Sequence, residues 1–186
     1  MVPATHDPVL VRSRLWLERA VIGLNLCPFA KAVHVQDQVR WVHSDATDEQ
    51  ALLADLVHEL QLLQDADPAS VQTTLIVHPH VLEDFEDYNQ FLDIADAAIA
   101  ELELEGEIQV ASFNPQYRFA GSEPDAIEDF SNRSPYPMLH LLRESSIARA
   151  VAAFPDAERI YGRNIEALRR LGHAGWRALW SDIAAP

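Results

Sequence analysis

The feature that most restricts the fold of this chain is a short run of β-branched and apolar residues at 73–77, Thr-Thr-Leu-Ile-Val. A strand without polar alternation must be covered on both faces, which is typical of a central strand in a parallel sheet. Amphipathic helical patterns lie before and after it, at about 47–67 and 84–105, and residues 108–113 have the pattern of a further strand. This alternation of strands and helices predicts right-handed crossovers and a sheet flanked by helices.

Both ends of the chain are predicted to be mainly helical. Asp7-Pro8 has the form of a helix start, because a capping carboxylate precedes a proline at the first helical position. After Pro115, helical patterns dominate near 125–130, 137–153, 157–171 and 174–183. Trp176, Leu179 and Trp180 lie in the last of these segments and are expected to pack back on the body of the protein.

We therefore predict a single α/β domain over residues 1–186. Its sheet is expected to be small and mostly parallel, with three or four strands, and a helical C-terminal extension covers about 120–186. Apolar residues at alternate positions predict extended chain over 33–43. A ferredoxin-like α+β fold, in which that segment pairs antiparallel, is the alternative.

The charge of the chain argues against whole classes of partner. It has 14 basic and 29 acidic residues, a formal net charge of −15, and no Lys or Arg lies between Trp41 and Tyr117. Such a field repels phosphate backbones and anionic lipid surfaces, so we expect neither nucleic-acid nor membrane binding. The acidic middle is interpreted as solvated helix faces, with an acidic docking surface as the alternative.

The single cysteine and the N-terminal sequence indicate a cytoplasmic protein. One cysteine, Cys27, cannot form an intramolecular disulfide framework. The apolar run after Arg14 is interrupted by Glu18 and Arg19, so the uninterrupted core of a signal peptide is missing.

Three motifs resemble a known family. They are Leu24-Asn25-Leu26-Cys27-Pro28-Phe29-Ala30, Val77-His78-Pro79, and the segment 132–144, Asn-Arg-Ser-Pro-Tyr-Pro-Met-Leu-His-Leu-Leu-Arg-Glu. Together they are similar to the bacterial domain-of-unknown-function family 1415, and the likeness covers about residues 9–180. The resemblance implies a bacterial, soluble, single-domain protein, and it assigns no activity and no catalytic residues.

Cys27 is the candidate nucleophile. If residues 28–33 form a helical turn, the sulfur lies at the positive end of a helix, with Lys31 one turn further on. Both effects favour the thiolate, which is the reactive form of cysteine. The alternative is that Cys27, between Leu26 and Phe29, is a small buried apolar residue.

Anion binding is predicted for the proline-rich segment 132–143. Its two prolines indicate a rigid loop that leads into a helix, where His140 and Arg143 would share one face. Asn132, Arg133, Ser134 and Arg143 are the candidate substrate-binding residues, because guanidinium groups at a helix N-terminus suit a carboxylate or phosphate. Alternatively, Arg143 pairs with Asp129 or Glu128, and Asn132 and Ser134 only cap.

Two histidines follow the central strand. In extended chain, His78 and His80 would point the same way and could address one metal ion. No third ligand is fixed by spacing, so we assign no metal, and His78 alone is a candidate proton carrier.

These candidates are expected to meet at the carboxyl edge of the sheet. His78 follows one strand and Tyr117 lies shortly after the next, and parallel strands place both turns on the same edge. With Cys27 and the 132–143 segment closing over it, this edge would form one pocket with Tyr117 and Tyr136 as walls.

The resulting hypothesis is a small-molecule hydrolase or group transferase that acts on an anionic metabolite. Arg133 and Arg143 would hold the anion, His78 or His140 would move a proton, and Cys27 would attack. A non-catalytic binding or regulatory module is one alternative, and a metal-dependent hydrolase using His78 and His80 is another. The residues identify no cofactor and no oligomeric state.

Overall fold

The computed structural model describes residues 7–153 and 159–181, and within them it has an α/β fold with helices on both faces of a four-stranded sheet. The helices are α1 (Pro8–Trp16), α2 (Ala30–Val35), α3 (Glu49–Asp65), α4 (Phe85–Glu101), α5 (Glu144–Ala153) and α6 (Ile160–Ala178). The strands are β1 (Val39–His43), β2 (Thr73–Val77), β3 (Ile108–Phe113) and β4 (Met138–Arg143). A π-helical segment (Leu17–Ile22) continues α1, and a 3-10 helix (Ile127–Ser131) precedes β4.

The sheet is mixed, with the strand order β1-β2-β4-β3. β1 and β2 pair in parallel, whereas β4 pairs antiparallel with both β2 and β3. β1, β2 and β3 consequently run in the same direction, and β4 is inserted between β2 and β3 in the opposite direction. The α/β class and the fully buried central strand β2 are confirmed, but the sheet is not mostly parallel.

The helix predicted over 137–153 is wrong in its first part, since residues 138–143 form strand β4 and α5 begins at Glu144. The sequence Met-Leu-His-Leu-Leu-Arg suits a helix by propensity. However, Leu139 and Leu141 are fully buried on one face of the sheet, and Met138 is buried on the other. Pairing on both sides with neighbouring strands overrides the local preference.

The predicted extended segment 33–43 is correct only in its second half. Residues 30–35 form the short helix α2, and β1 begins at Val39. β1 pairs in parallel with β2, so the antiparallel pairing of the ferredoxin-like alternative is not observed for this segment. The antiparallel strand of the sheet is β4 instead.

Each face of the sheet has its own hydrophobic core. Helices α3 and α4 cover one face, where the buried residues include Leu52, Leu56, Leu60, Ile76, Tyr88, Phe91, Leu139 and Leu141. Helix α1 with its π-helical continuation covers the other, where they include Leu10, Trp16, Leu17, Val21, Trp41, Leu75, Val77 and Met138. As predicted, Trp176, Leu179 and Trp180 pack against this second core.

Two capping aspartates define the starts of α1 and α4. Asp7 accepts hydrogen bonds from the N–H groups of Val9 and Leu10, with Pro8 at the first helical position. Asp84 does the same for the first turn of α4. The Asp7 carboxylate also contacts His43 at the end of β1, with 2.7 Å between Oδ2 and Nδ1, so the start of α1 is tied to the carboxyl edge of the sheet.

The helical C-terminal extension predicted over about 120–186 is correct only in part. The described residues from Glu144 onward are mainly helical, in α5 and α6, but strand β4 lies within the predicted extension. Residues 154–158 and 182–186 lie outside the described residues, and with them the ends of the predicted helices 157–171 and 174–183. Among the described helices, none is both long enough and apolar enough to cross a membrane.

Candidate functional site

A cavity of about 200 Å³ lies beside the carboxyl end of β3, between α1, the loop before β4 and the last turns of α6. We call it the tryptophan cavity. Its lining residues are Arg12, Trp16, Pro115, Phe130, Arg133, Ser134, Pro135, Trp176 and Trp180. Three of the four tryptophans of the chain therefore surround one small space.

Trp16, the last residue of α1, joins the cavity to the sheet. It is 2% exposed, and its ring meets the ring of Phe113, the last residue of β3, edge to face with 5.0 Å between centroids. Its Nε1–H donates to the backbone oxygen of Arg133 over 3.0 Å. The rigid helix end and the loop before β4 are thus fixed to each other at the cavity wall.

Arg12 lies one helical turn before Trp16, so both side chains leave the same face of α1. The side chain is half-buried. Within residues 7–153 and 159–181, no hydrogen bond or ion pair reaches its guanidinium. Arg12 therefore brings to the cavity a positive charge without a counterion in the described part of the chain.

Arg133, the second arginine of the lining, is held by three contacts. Its Nε donates to the backbone oxygen of Tyr117 over 3.1 Å, and one terminal nitrogen lies 2.8 Å from Oδ1 of Asp125. The guanidinium carbon lies 4.2 Å from the centroid of the Phe130 ring. Stacking, a carbonyl and a carboxylate together fix the plane of this arginine.

Asp125, which pairs with the lining residue Arg133, is the centre of a small charged group. The hydrogen bond from Arg133, together with the nearby charges of Arg133, His173 and Arg177, holds the pKa of this carboxyl below its usual range. Nε2 of His173 lies 2.9 Å from the Asp125 backbone oxygen. Asp125 is two-thirds exposed, and its backbone is left-handed, with φ of 58°.

Aromatic rings in edge-to-face contact also line the cavity. Phe130 contacts Trp176 edge to face at 5.2 Å, and Trp176 contacts Trp180 in the same manner at 5.8 Å. These tryptophans follow a break in α6 at Gly172, where φ of 64° and ψ of 173° lie in a region open to glycine alone. The break gives the last turns of α6 a new direction, toward the cavity.

Of the predicted proline-rich motif, Ser134 lines the cavity with Arg133, while Asn132 and Tyr136 support the loop. The Ser134 hydroxyl donates to the backbone oxygen of Tyr136 over 2.5 Å, which leaves its lone pairs as acceptors. Asn132 donates to the backbone oxygen of Ser112 in β3. Tyr136 is half-buried against the core on the α1 side of the sheet.

His78 is buried on the other side of the sheet edge. Its ring is 0% exposed and stacks on that of Tyr88 in α4, with 5.9 Å between centroids. Nδ1 lies 2.9 Å from the Val81 backbone oxygen, and Nε2 has no hydrogen-bond partner among the described residues. Burial lowers the pKa of His78 to about 4, more than the hydrogen bond to Val81 raises it.

His140 and Arg143 do not share a face, because they lie three residues apart on a strand and not on a helix. His140 faces the α1 side, where its Nε2 lies 2.7 Å from Oγ1 of Thr73, and burial lowers its pKa to about 4. Arg143 points to the α3 side at the far end of β4 and donates to the backbone oxygens of Leu63 and Ala66. Neither of the pairings proposed for Arg143, with Asp129 or with Glu128, is formed.

Cys27 is half-buried in the loop before α2, against the core on the α1 side. The helix begins at Ala30 with Phe29 at its N-cap, so Cys27 lies two residues before the cap and not on it. The helix-capped thiol predicted from the sequence is therefore not formed.

The structure thus brings together only part of the predicted site. Arg133 and Ser134 line the tryptophan cavity, and Tyr117 holds Arg133 through its backbone oxygen. The aromatic walls predicted from Tyr117 and Tyr136 are not formed there. The other predicted residues that do not line the cavity are Cys27, His78, Asn132, His140 and Arg143. Sequence reasoning missed Arg12, Trp16, Phe130, Trp176 and Trp180. Arg12 and Trp16 lie four residues apart in α1, and Trp176 and Trp180 lie four residues apart at the end of α6 and in the turn after it. This spacing is the signal that could have indicated two lining surfaces.

The two histidines considered as metal ligands, His78 and His80, lie in different environments. His78 is buried, while His80 is exposed, with its ring 6.3 Å from that of His43. No group of three or more His, Cys, Asp or Glu side chains suited to a metal ion occurs in residues 7–153 and 159–181.

Comparison with known proteins places the chain in a family. Neither a curated protein nor a solved structure matches it. One family model does match, over residues 9–178, and its description is "Protein of unknown function (DUF1415)". That match covers most of the 186 residues and every lining residue of the tryptophan cavity except Trp180, and the chain belongs to the DUF1415 family.

Proposed function

We propose that this protein binds a small organic anion with a flat apolar portion in the tryptophan cavity. The observation that carries the proposal is Arg12, a half-buried guanidinium without a partner among the described residues, beside an aromatic-walled space. A charge taken partly out of water loses hydration, and a bound carboxylate compensates for that loss.

The shape of the cavity supports the apolar part of the ligand. Trp16, Phe130, Trp176 and Trp180 present ring surface from three elements of the fold. Flat rings pack against such surfaces edge to face or offset, and each aromatic pair adds about 0.5–1.5 kcal/mol beyond the burial of area. A volume of about 200 Å³ is below the usual range of drug-sized pockets, which favours a ligand with one ring and one charged substituent.

Binding is proposed here and no reaction. The candidate nucleophile Cys27 and the candidate proton carriers His78 and His140 lie outside the lining of the cavity. A general base must come within hydrogen-bond reach of the group that it deprotonates, and the positions of these histidines give no support for that role in this cavity.

Titration with three matched compounds tests the proposal. Benzoate carries a ring and a charge, benzamide has nearly the same shape without the charge, and acetate has the charge without the ring. We expect benzoate to quench or shift tryptophan fluorescence, since three of the four tryptophans surround the cavity. Benzamide and acetate are expected to bind at least about tenfold more weakly, because each lacks one of the two recognised features.

Arg12→Gln is the decisive variant. It removes the unpaired charge and is expected to weaken benzoate binding by about tenfold or more, measured by calorimetry. Arg149→Gln is the matched control, because Arg149 is exposed on α5 and the variant changes the net charge equally. Equal affinity of Arg12→Gln and the control, or no benzoate binding to the unmodified protein, would contradict the proposal.

A further inference from the structure

We infer that the tryptophan cavity selects monoanions over dianions and that Asp125 sets this selectivity. The inference rests on the proposed function and concerns the charge of the ligand. Two guanidinium groups line the cavity, and at first sight they suit a doubly charged group such as a phosphate monoester. The partners of the two arginines indicate otherwise.

Only one of the two positive charges is available. Arg133 is neutralised by Asp125, with 2.8 Å between its terminal nitrogen and the carboxylate oxygen, and its Nε is occupied by the Tyr117 carbonyl. Arg12 has no such partner in the described part of the chain. The lining and its counterion therefore carry one net positive charge.

The surroundings of Asp125 keep its carboxylate ionised. Arg133 lies on one side, and His173 and Arg177 of α6 lie on the other. Neither Asp125 nor Arg177 lines the cavity, but Asp125 acts on it through its 2.8 Å ion pair with the lining residue Arg133. Arg177 is exposed and has no such contact with a lining residue, so solvent screens its effect on a bound ligand. Arg169 is paired with Glu128 and adds no net charge.

A dianion meets two costs that a monoanion avoids. Its second charge finds no unpaired guanidinium in the lining, and at the second lining guanidinium, Arg133, it competes with the Asp125 carboxylate, which lies 2.8 Å from that group and repels an anion. The Ser134 hydroxyl does not compensate, because its proton is already donated to the Tyr136 carbonyl. A ligand with one delocalised charge uses Arg12 fully and leaves the Arg133–Asp125 pair intact.

Phenyl sulfate and phenyl phosphate test the inference directly. The two have nearly the same shape, but above about pH 7 the first carries one charge and the second carries two, because the second phosphate pKa is about 6. At pH 8 we expect the unmodified protein to bind phenyl sulfate about tenfold more tightly. Tighter binding of phenyl phosphate would overturn the inference.

Asp125→Asn supplies the second half of the test. Removal of the carboxylate frees the Arg133 charge, so affinity for phenyl phosphate should rise by about tenfold, while that for phenyl sulfate changes much less. Asp96→Asn, at an exposed position of α4, is the control for net charge. An equal response of the two variants would overturn the role of Asp125.

Anion binding in the cavity and selectivity for monoanions can be disproved separately. If none of benzoate, phenyl sulfate and phenyl phosphate binds the unmodified protein, the proposed function itself is wrong. If all bind, but Asp125→Asn leaves the ratio of the two phenyl esters unchanged, the anion site stands and the charge selectivity is wrong.

Discussion

Two arginines at opposite ends of β4 have opposite surroundings. At the carboxyl end, Arg143 donates to the backbone oxygens of Leu63 and Ala66, which belong to the last turn of α3 and its cap. At the amino end, just before the strand, Arg133 lies between Asp125 and the Phe130 ring at the wall of a cavity. From the sequence alone, both arginines are equally good candidates to bind an anion.

The difference shows that the partners of an arginine decide its role. Backbone carbonyls cannot leave, and at the end of a helix they carry partial negative charge, so Arg143 stabilises the α3 terminus. The carboxylate of Asp125 is two-thirds exposed, and an aromatic face with open space lies beside Arg133. Arg143 is thus a structural residue, and Arg133 belongs to the candidate site.

The largest expected effect is a loss of stability at the carboxyl end of β4, where Arg143 lies. Arg143→Ala leaves at least two helix-end carbonyls without a donor and should lower the free energy of unfolding by about 3 kcal/mol, measured by urea denaturation. Benzoate affinity should not change. Arg149→Ala, on the exposed face of α5, is the control. If Arg143→Ala had the stability of the unmodified protein but bound benzoate more weakly, Arg143 would belong to the site. The contrast between a structural Arg143 and a ligand-binding Arg133 would then be wrong.

The second expected effect is a pH dependence of stability caused by His78. This residue lies near the amino end of β4, because its backbone N–H donates to the Pro137 carbonyl just before that strand. The folded protein protonates this histidine only near pH 4, whereas the unfolded chain does so below about pH 6.5. The stabilisation is therefore complete above pH 6.5 and is lost as the pH falls, by about 2 kcal/mol at pH 5.

Urea denaturation between pH 7 and pH 5 measures this loss. His140 adds to it in the same direction, because burial lowers its pKa as well. His78→Asn should reduce the pH dependence by about 2 kcal/mol, although the variant is less stable at pH 7. His58→Asn, at an exposed position of α3, should leave it unchanged. An unaltered slope in His78→Asn would show that this histidine is not held neutral.

The smallest effect concerns the wall of the cavity. Gly172→Ala forces a side chain into a backbone region that only glycine adopts readily, which should cost about 1 kcal/mol and weaken benzoate binding by displacing Trp176 and Trp180. Gly162→Ala is the matched control in the same helix, because its backbone is ordinary and the space around it is open. Equal stability of the two variants would mean that the break does not depend on glycine.

Much of the fold was predictable because its signals are local. The buried strand β2, the capping aspartate Asp7 and the amphipathic faces of α3 and α4 all appear as predicted. β4 was not predictable in this way, because its leucines suit a helix and become a strand only between β2 and β3. A segment that pairs with strands about 30 and 65 residues earlier leaves no short-range periodicity to find.

The candidate site was predictable only in part for the same reason. Arg133 and Ser134 were identified from a rigid proline-rich loop, which is a local pattern. Arg12 and Trp180 reach the same cavity from opposite ends of the chain, so their proximity is a property of packing. Conversely, His140 and Arg143 would share a face in a helix, but in strand β4 they lie on opposite faces.

The sequence alone determined the α/β class, the buried β2 strand and the negative charge, because composition and periodicity act over a few residues at a time. The tertiary structure decided that β4 is a strand, that Arg143 caps α3, and that Arg12 and Arg133 line one cavity with three tryptophans. These outcomes depend on which apolar surfaces, distant in the sequence, are buried against each other. The free energy of that burial depends on the whole folded structure, so no single segment of the sequence reveals it.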